Sequence, residues 1–593
     1  MPAITVNDDS HQNDRHHYSD CLGSCLPFLN GNSFIRTRMQ MNFSFKHPYE
    51  FDERFKKRVA YFSMELGIHQ SLKTYAGGLG FLGGSHLRSA FSLRQNMVGI
   101  SILWKFGYYD QVRKSDQTMD VLFQEKVYGF LKKTDIRFTI NVSRHEVQVG
   151  VYYLPPEVFN TVPIFFLTTD FVENDYLART ICHRLYDSNN ETRTAAAILL
   201  GTGGAKLLEL LGWEPEIYHL NESHALPLAF YLYRKYGNIE EVKKRFVFTN
   251  HTPEESGNIK TDLFLLEKIG FFVGIPSEEI RKIVGIADDK LDHTYTALKF
   301  SGLANGVSKL HLKTLQGMWQ NYPDICKIIS ITNAQNFDYW ADKGMYKALN
   351  ENDDEGLRKK KAQRKRFLFE EVADQCGEIY DEKIMTIVFA KRFAGYKRAE
   401  LLFHNMERFQ QLVMNKDLPV QIIWAGKPYP VDYAAIALFD KIVHLCKTYQ
   451  NCSILVGYEL RLSKMLKGGA DIWLNVPRLT HEASGTSGMA AAMNGAVNVS
   501  VPDGWFPEFC KPGVNSFLIP PADISLSDHE QDSENAEALL DLLEKKILPA
   551  YYNGLVGWTN IIKNSMKDII PFFDSHRMAE KYYHLLYTNN SNK

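Results

Sequence analysis

The chain has 593 residues, of which 45% are hydrophobic and 23% are charged, and its formal net charge is -1. This length exceeds what one hydrophobic core usually supports, so two or more domains are expected. The near-zero charge argues against a general nucleic-acid binder or membrane-surface protein, and no apolar run is continuous enough to predict a membrane span. The eight cysteines show no zinc-site spacing, so we predict free thiols, no metal site and a cytoplasmic protein.

Residues 1–56 are predicted to form a loosely ordered N-terminal extension, because they lack periodicity and carry several His, Asp and Asn residues. Beyond them, short apolar runs alternate with helical stretches. A first series of strand candidates lies at 59–64, 98–104, 163–169 and 246–249. A second series lies at 385–391, 420–426, 453–457, 471–476 and 496–501. Apolar runs without strict alternation are typical of strands covered on both faces, so the predicted class is α/β with parallel sheets.

The two series predict two Rossmann-like domains that face a cleft, which is the GT-B arrangement of many sugar transferases. The predicted boundaries are 57–345 for the N-terminal domain and 381–560 for the C-terminal domain. A connecting helix is predicted within 346–380, where a basic cluster is expected to be a solvated face. The C-terminal helices of 561–593 are expected to pack back on the N-terminal domain. Ligands of such sheets bind beyond the carboxyl ends of the strands.

Two motifs could approach a phosphate. YAGGLGFLGGSHLRSA (75–90) predicts a glycine-rich turn that opens a helix, whose backbone N–H groups can bind an anion; close helix–strand packing is the alternative. In AKRFAGYKRAELL (390–402), Arg392 and Lys397 can converge on one phosphate directly after a strand. A basic helix start on the surface is the alternative there.

Two further motifs carry polar groups at strand ends. His251 could contact a sugar hydroxyl or a reacting centre, whereas Glu222 in HLNESHA is more typical of a capping carboxylate. In EASGTSGMAAAMNG (482–495), Glu482 could accept hydrogen bonds from sugar hydroxyls. The small residues after it could point N–H and hydroxyl donors at a phosphate, just before a helix that begins near Met489.

Taken together, these stretches resemble the α-glucan phosphorylases, the glycogen, starch and maltodextrin phosphorylase family, and most nearly its short prokaryotic type. The resemblance covers about residues 58–585. It rests on VAYFSMELGIHQSL, YAGGLG, HLNESHA, FTNHTP, ANGVSKLH, RFAGYKRAELL, IWLNVPR and EASGTSGM, which follow the family's order and spacing. It implies a GT-B fold and retaining transfer of a glucosyl unit between an α-1,4-glucan and inorganic phosphate, with pyridoxal phosphate as cofactor.

The resemblance also implies roles for the residues that match. The residues assigned to the substrate phosphate are Gly78, Arg392 and Lys397, and those assigned to the glucosyl unit are His251, Asn333, Glu482, Ser484 and Gly485. We predict that His251, Arg392, Lys397 and Glu482 are catalytic. The cofactor phosphate is assigned to Lys391, Gly485 and Thr486, with Lys397 also nearby.

One position breaks the family pattern. The residue after the Met of the EASGTSGM motif is in the family a lysine that holds pyridoxal phosphate as a Schiff base, and here it is Ala490. Since alanine has no amine, no covalent cofactor is expected, and the missing lysine is expected to open space where a nucleotide could lie. Ser85 and the stretch 331–340 also depart from the family, so the glucan-binding side is expected to differ.

Three functions remain open from the sequence. The first is a retaining hexosyltransferase that uses another phosphate-bearing donor, a nucleotide sugar or a sugar 1-phosphate. The second is an α-glucan phosphorylase whose cofactor lysine has been substituted. The third is an inactive relative kept as a binding or regulatory protein. We favour the first, because Arg392, Lys397 and Glu482 are retained, and we expect neither a nucleic-acid nor a membrane partner.

Overall fold

The structure is a computed structural model that describes residues 42–286 and 288–588. Most of the predicted N-terminal extension, with Cys21 and Cys25, lies outside the described residues. From Phe43 onward the described residues form one compact unit. Residues 43–51 have no regular secondary structure, but Phe43 and Phe45 lie edge-on to the ring of Phe165. The prediction of loose order is therefore wrong for this part, because its alternate aromatic side chains pack on the first sheet.

The first sheet has nine strands within the described residues. Their order in space is Lys327–Ser330, Leu303–Gly306, Phe246–Thr249, Ile217–Asn221, Val59–Phe62, Met97–Ile102, Ile164–Thr168, His145–Leu154 and Lys132–Val142. The first seven run parallel, and the last two add an antiparallel hairpin. The hairpin turns at Ser143 and Arg144, which both have positive φ, as a tight two-residue turn that matches the strand twist requires.

The second sheet has six parallel strands within the described residues. Their order is Cys452–Leu455, Val420–Ala425, Met385–Ala390, Ile472–Asn475, Val497–Ser500 and Ser516–Leu518. All six residues of Met385–Ala390 are buried, because helices cover both faces of the sheet. The carboxyl ends of the two sheets line one cavity, so the predicted GT-B fold is confirmed.

Helices flank both sheets. Those before the second sheet are Gly78–Ser92, Pro156–Phe159, Tyr176–Thr180, Asn190–Ile198, Gly204–Leu210, Pro227–Tyr236, Ile239–Lys243, Leu263–Ile269, Ser277–Val284, His293–Phe300, Lys309–Trp319, Phe337–Trp340, Lys343–Asn350 and Asp354–Cys376. The later ones are Met406–Met414, Tyr433–Thr448, Leu460–Gly469, Ser487–Ala492, Asp528–Leu542, Leu548–Asn553, Leu555–Phe573 and Ser575–Lys581, with π-helical turns at Leu199–Gly203, Leu543–Ile547 and Tyr582–Thr588. Two small antiparallel pairs lie outside the two sheets, Asp110–Arg113 with Met119–Leu122 and Lys260–Asp262 with Lys290–Asp292.

The helix Asp354–Cys376 lies within the predicted connecting segment, but its basic cluster is not simply a solvated face. Lys361 donates to the carbonyls of Gly468 and Asn494, at 3.0 and 3.2 Å. Lys365 is buried and pairs with Asp471 at 2.5 Å. The prediction is wrong for these two lysines, because carbonyls at helix ends and a buried carboxylate supply the partners that a buried ammonium needs.

The chain returns from the second sheet to the first. Ser575 contacts Ser89 with 2.5 Å between the hydroxyl oxygens, and the Gln95 amide donates to the carbonyl of Ala579 at 3.2 Å. Farther along, the Tyr587 hydroxyl lies 2.7 Å from Nδ1 of His219, a residue of the strand Ile217–Asn221 in the first sheet. These contacts attach the C-terminal helices to the first sheet, while the exact domain boundaries stay a prediction.

Candidate active site in the cleft between the sheets

A cavity of about 560 Å³ lies between the carboxyl ends of the two sheets. Its walls come from segments that follow strands of both sheets, as the rule for open parallel sheets predicts. Of the eleven predicted site residues, those that line the cavity are Gly78, His251, Asn333, Lys391, Arg392, Lys397, Glu482, Ser484, Gly485 and Thr486. Ala490 does not line it. The structure thus brings together side chains that the sequence places in distant motifs.

The glycine-rich turn uses its glycines in two ways. A Cβ on Gly84 would lie 2.1 Å from the carbonyl oxygen of Gly67, and a Cβ on Gly80 would lie 2.5 Å from Tyr75 Cβ, so both serve close packing. Gly78 instead faces the cavity, where the nearest atom to such a Cβ is Thr486 Oγ1 at 4.0 Å. Close packing therefore explains Gly80 and Gly84, while anion binding at Gly78 stays a prediction.

Glu65 fixes this turn in place and was not among the predicted site residues. Its Oε2 accepts the backbone N–H groups of Ala76 and Gly77 at 2.7 and 3.1 Å, and its Oε1 accepts the Tyr186 hydroxyl at 2.7 Å. The carboxylate therefore holds the loop that opens the helix Gly78–Ser92. Its position just after the strand Val59–Phe62 is the signal that could have identified it.

A cluster of three cations forms the opposite wall. Lys391 is buried and donates to Asn475 Oδ1 and, at 3.3 Å, to Ser487 Oγ. Burial lowers the pKa of Lys391 to about 8, so much of its charge remains at neutral pH. Arg392 is exposed to the cavity, and its guanidinium lies 3.4 Å from the Tyr396 hydroxyl. The guanidinium is thus available to a ligand.

Lys397, the third cation, is paired with Glu482. Lys397 Nζ lies 2.6 Å from Glu482 Oε2, and the two side chains are only 11% and 9% exposed. Burial opposes ionisation of Glu482, but Lys397 and Lys391 outweigh it and hold the pKa of this carboxyl below its ordinary value. The same carboxylate raises the pKa of Lys397 against the effect of burial. Both groups are charged at neutral pH.

The Glu482 loop is held by Asp503, a second residue that the sequence analysis missed. Asp503 Oδ2 accepts the backbone N–H of Glu482 at 2.9 Å, and Oδ1 accepts that of Gly504 at 2.8 Å. Burial raises the pKa of Asp503 to about 6. Gly485 is required beside it, because a Cβ there would lie 2.1 Å from Glu482 Oε1. Asp503 follows the strand Val497–Ser500, so the strand-end rule again points to it.

His251 stands at the end of Phe246–Thr249 and is fixed on both sides. Its Nε2 lies 2.8 Å from Asn221 Oδ1, and its backbone N–H donates to Glu222 Oε2 at 2.8 Å. Because Asn221 Oδ1 can only accept, Nε2 carries the hydrogen and Nδ1 is left as an acceptor. Burial lowers the pKa of His251 to about 3, so the ring is neutral.

Glu222 has a backbone φ of 70°, which is a strained conformation for a residue with a Cβ. Its Oε1 accepts the backbone N–H of Ser223 at 3.0 Å, while Oε2 is bound by His251. Burial raises its pKa, and these hydrogen bonds oppose the rise. Both oxygens are thus used by the backbone, which favours the capping role that the sequence predicted.

Several polar atoms at the cavity have no partner among the described residues. They are Asn333 Oδ1, Ser484 Oγ and His224 Nδ1. Buried polar atoms are normally hydrogen-bonded, so the hydrogen-bonding capacity of these three atoms is left unused by the protein. They lie on the same cavity as the cation cluster, which matches a ligand with both sugar hydroxyls and a phosphate.

Ala490 lies in a different environment from the one predicted. It is 0% exposed, within the helix Ser487–Ala492, and belongs to a hydrophobic cluster with Phe81, Trp340 and Met489. The expectation that the missing lysine opens space for a nucleotide is wrong, because these apolar side chains fill the surroundings of Ala490.

Lys427 joins the two sides of the cleft. Across the cleft, Lys427 Nζ donates to the carbonyl of Tyr109 at 2.8 Å and pairs with Glu459 at 2.9 Å, which joins segments of the two sheets.

Among the described residues, no group of three or more His, Cys, Asp or Glu is arranged to hold a metal ion. In the same part of the chain, no helix is both long and apolar enough to cross a membrane.

Comparison with known proteins gives two family matches. Residues 292–511 match the carbohydrate phosphorylase family, and residues 107–322 match the starch synthase catalytic domain. An uncharacterized protein of Methanocaldococcus jannaschii is 43% identical over 90% of this chain and its own full length. The maltodextrin phosphorylase of Thermococcus litoralis is 31% identical over 90% of this chain and 71% of its own. The glycogen phosphorylase of Aquifex aeolicus is 28% identical, over 91% and 87%.

Proposed function

Because the chain belongs to the carbohydrate phosphorylase family, we propose that it is a retaining hexosyltransferase whose sugar donor bears a phosphate. The donor is a nucleotide sugar or a sugar 1-phosphate, and it binds in the cavity between the two sheets. The observation that carries the proposal is the convergence of Lys391, Arg392 and Lys397 on a wall that also presents Glu482. A cytoplasmic location, predicted from the scattered cysteines, remains part of the proposal.

In this proposal the cations hold the donor phosphate and stabilise the charge that it gains as the sugar leaves. Arg392 offers a planar fork and Lys397 a point charge, and fixed donors of this kind need no reorganisation during the reaction. The loop of Gly78 faces them across the cavity. In retaining transfer, the bond between the anomeric carbon and the donor phosphate breaks and an acceptor hydroxyl bonds to that carbon on the same face. The departing phosphate, which these cations keep next to the sugar, takes up the hydroxyl proton.

The sugar hydroxyls are assigned to the groups that lack protein partners. Asn333 Oδ1 and Ser484 Oγ are available, and Glu482 Oε1 can accept beside Gly485. The neutral His251 ring offers Nδ1 as an acceptor, while Asn221 fixes its orientation. Donors that lack a hydroxyl should be rejected, because the protein group that faces the missing hydroxyl would then be buried without a partner.

An α-glucan phosphorylase is the second candidate, because the residues assigned to the cofactor phosphate are retained. Lys391, Gly485 and Thr486 line the cavity and fit a phosphate group. The covalent bond to pyridoxal phosphate does not fit, since Ala490 offers no amine and is enclosed by apolar side chains. We therefore propose that the chain works without covalent pyridoxal phosphate, and no step is assigned to that group.

Calorimetry with glucose 1-phosphate, UDP-glucose, GDP-mannose and maltoheptaose tests the proposal. At least one phosphate-bearing donor should bind, and Arg392→Ala should weaken it about ten- to a hundred-fold, as expected when a charge-assisted hydrogen bond of about 1.5–3 kcal/mol is lost. Arg461→Ala is the matched control, because Arg461 is 73% exposed and does not line the cavity. Unchanged donor affinity in Arg392→Ala would remove this residue from the donor site.

A further inference from the structure

Lys467 is a buried lysine that the proposed reaction does not use. It lies in the helix Leu460–Gly469 and is 1% exposed. Its Nζ donates to Ser463 Oγ at 2.8 Å and lies 3.7 Å from the centroid of the Trp340 ring and 5.4 Å from that of Phe81. The amine is thus packed on two aromatic rings instead of reaching solvent.

These two rings belong to the hydrophobic cluster that encloses Ala490. The Asn494 amide donates to the carbonyls of both Trp340 and Ala490, at 2.9 and 2.7 Å, and so fixes these two residues next to each other. Lys467 therefore packs on two rings of the cluster that contains the position lacking the lysine.

The pKa of Lys467 is consistent with a neutral side chain that fills space in an apolar cluster. Burial lowers its pKa well below the ordinary value, and the nearby cations Lys464 and Lys391 lower it further. None of the ion pairs among the described residues includes Lys467. A neutral amine with one hydrogen bond can lie in an apolar cluster, whereas an unpaired ammonium there would be expensive.

We infer that the Lys467 side chain, packed on Trp340 and Phe81, fills the space beside Ala490 that a ring bound at this position would need. The chain thereby excludes a pyridoxal ring with its own side chains, while the phosphate-binding residues Lys391 and Thr486 stay open to another ligand. This inference rests on the packing around Ala490 and is independent of which donor is used.

The first test uses pyridoxine 5′-phosphate, which has the ring and phosphate but no aldehyde and needs no lysine. Lys467→Ala should bind it at least tenfold more tightly than the wild-type chain, because the truncation frees space beside Trp340. Lys299→Ala is the matched control, since Lys299 is also buried and lies over an aromatic ring, that of Tyr295 at 5.7 Å, but belongs neither to the cavity wall nor to the Trp340 cluster. Equal affinity in Lys467→Ala and the wild-type chain would overturn the inference.

The second test uses pyridoxal phosphate itself, reduced with borohydride and mapped by peptide mass. The wild-type chain should carry no adduct at Lys467, and the double variant Ala490→Lys with Lys467→Ala should gain one at position 490 at least tenfold more readily than Ala490→Lys alone. A stoichiometric adduct at Lys467 would overturn the inference and make this lysine an anchor. Calorimetry of the wild-type chain with the donor panel is a separate measurement, so failure of the proposed function is distinguishable.

Discussion

Replacing Glu482 by glutamine should expose how the cation cluster is stabilised. Glu482→Gln keeps the size of the side chain but removes the negative charge 2.6 Å from Lys397. Lys397 then stays buried with no carboxylate, and Lys391 and Arg392 repel it without compensation. At an effective dielectric constant of about 20, two unit charges at this distance attract by about 6 kcal/mol. Desolvation of both groups offsets part of this attraction.

Breaking a buried pair by removing one partner costs about 3–5 kcal/mol. An unfolding entropy of about 2.1 cal/mol/K per residue gives about 1.2 kcal/mol/K for 593 residues. For a cooperative transition, Glu482→Gln should therefore lower Tm by about 2.5–4 °C in a buffer without phosphate. Adding phosphate should recover part of the loss, because an anion replaces the missing carboxylate beside Lys397.

Differential scanning calorimetry at one scan rate measures these shifts. The double variant Glu482→Gln with Lys397→Met should be more stable than the sum of the single changes predicts, because neither charge is then left unpaired. Glu355→Gln is the control, since Glu355 pairs with Lys359 on an exposed helix face and its loss should leave Tm unchanged. If Glu482→Gln behaves like Glu355→Gln, water screens the pair and the buried-pair reasoning is refuted.

Two further predictions concern the supports of the site. The pKa of Asp503 is raised from 3.8 to about 6 in the folded chain, so its contribution to stability is present below about pH 4 and is lost as pH rises through 6. Relative to Asp503→Asn, the wild-type chain should lose about 2.4 kcal/mol of unfolding free energy between pH 4 and pH 7 in denaturant titrations, and equal pH slopes would contradict this. Gly84→Ala should lower Tm because the new Cβ would lie 2.1 Å from the Gly67 carbonyl oxygen, whereas Gly557→Ala, whose Cβ meets nothing within 4 Å, should stabilise its helix by about 0.5–1 kcal/mol. Similar Tm values for the two variants would show that the turn can shift without cost.

The fold could be predicted where a strand is apolar on both faces. Met385–Ala390 and Val420–Ala425 are fully buried and stand out as apolar runs. The hairpin Lys132–Val142 with His145–Leu154 was not predicted, because an edge hairpin alternates polar and apolar residues and lies outside the parallel pattern. The strand Leu303–Gly306 was not predicted either, because it is short and its pairing depends on distant partners.

The site was predictable where position after a strand and residue type coincide. Lys391 and His251 satisfy both conditions, and so do Glu65 and Asp503, which the sequence analysis did not select. The surroundings of Ala490 could not be predicted, because they depend on rings from distant helices. The burial of Lys361 and Lys365 likewise depends on carbonyls and a carboxylate that only the folded chain supplies.

The charges of the cavity restrict the donor further than its shape does. Lys391, Arg392 and Lys397 face one carboxylate, Glu482. The carboxylates of Glu65 and Glu222 are instead bound by backbone N–H groups and, at Glu65, also by the Tyr186 hydroxyl. This wall therefore keeps an excess of about two positive charges when no ligand is bound. A neutral sugar would leave that excess buried, whereas a sugar 1-phosphate or a nucleoside diphosphate sugar carries about two negative charges at neutral pH. For the donor that we propose, this charge match would allow the cluster to be closed off from water, which is the condition under which its cations stabilise a leaving phosphate most strongly.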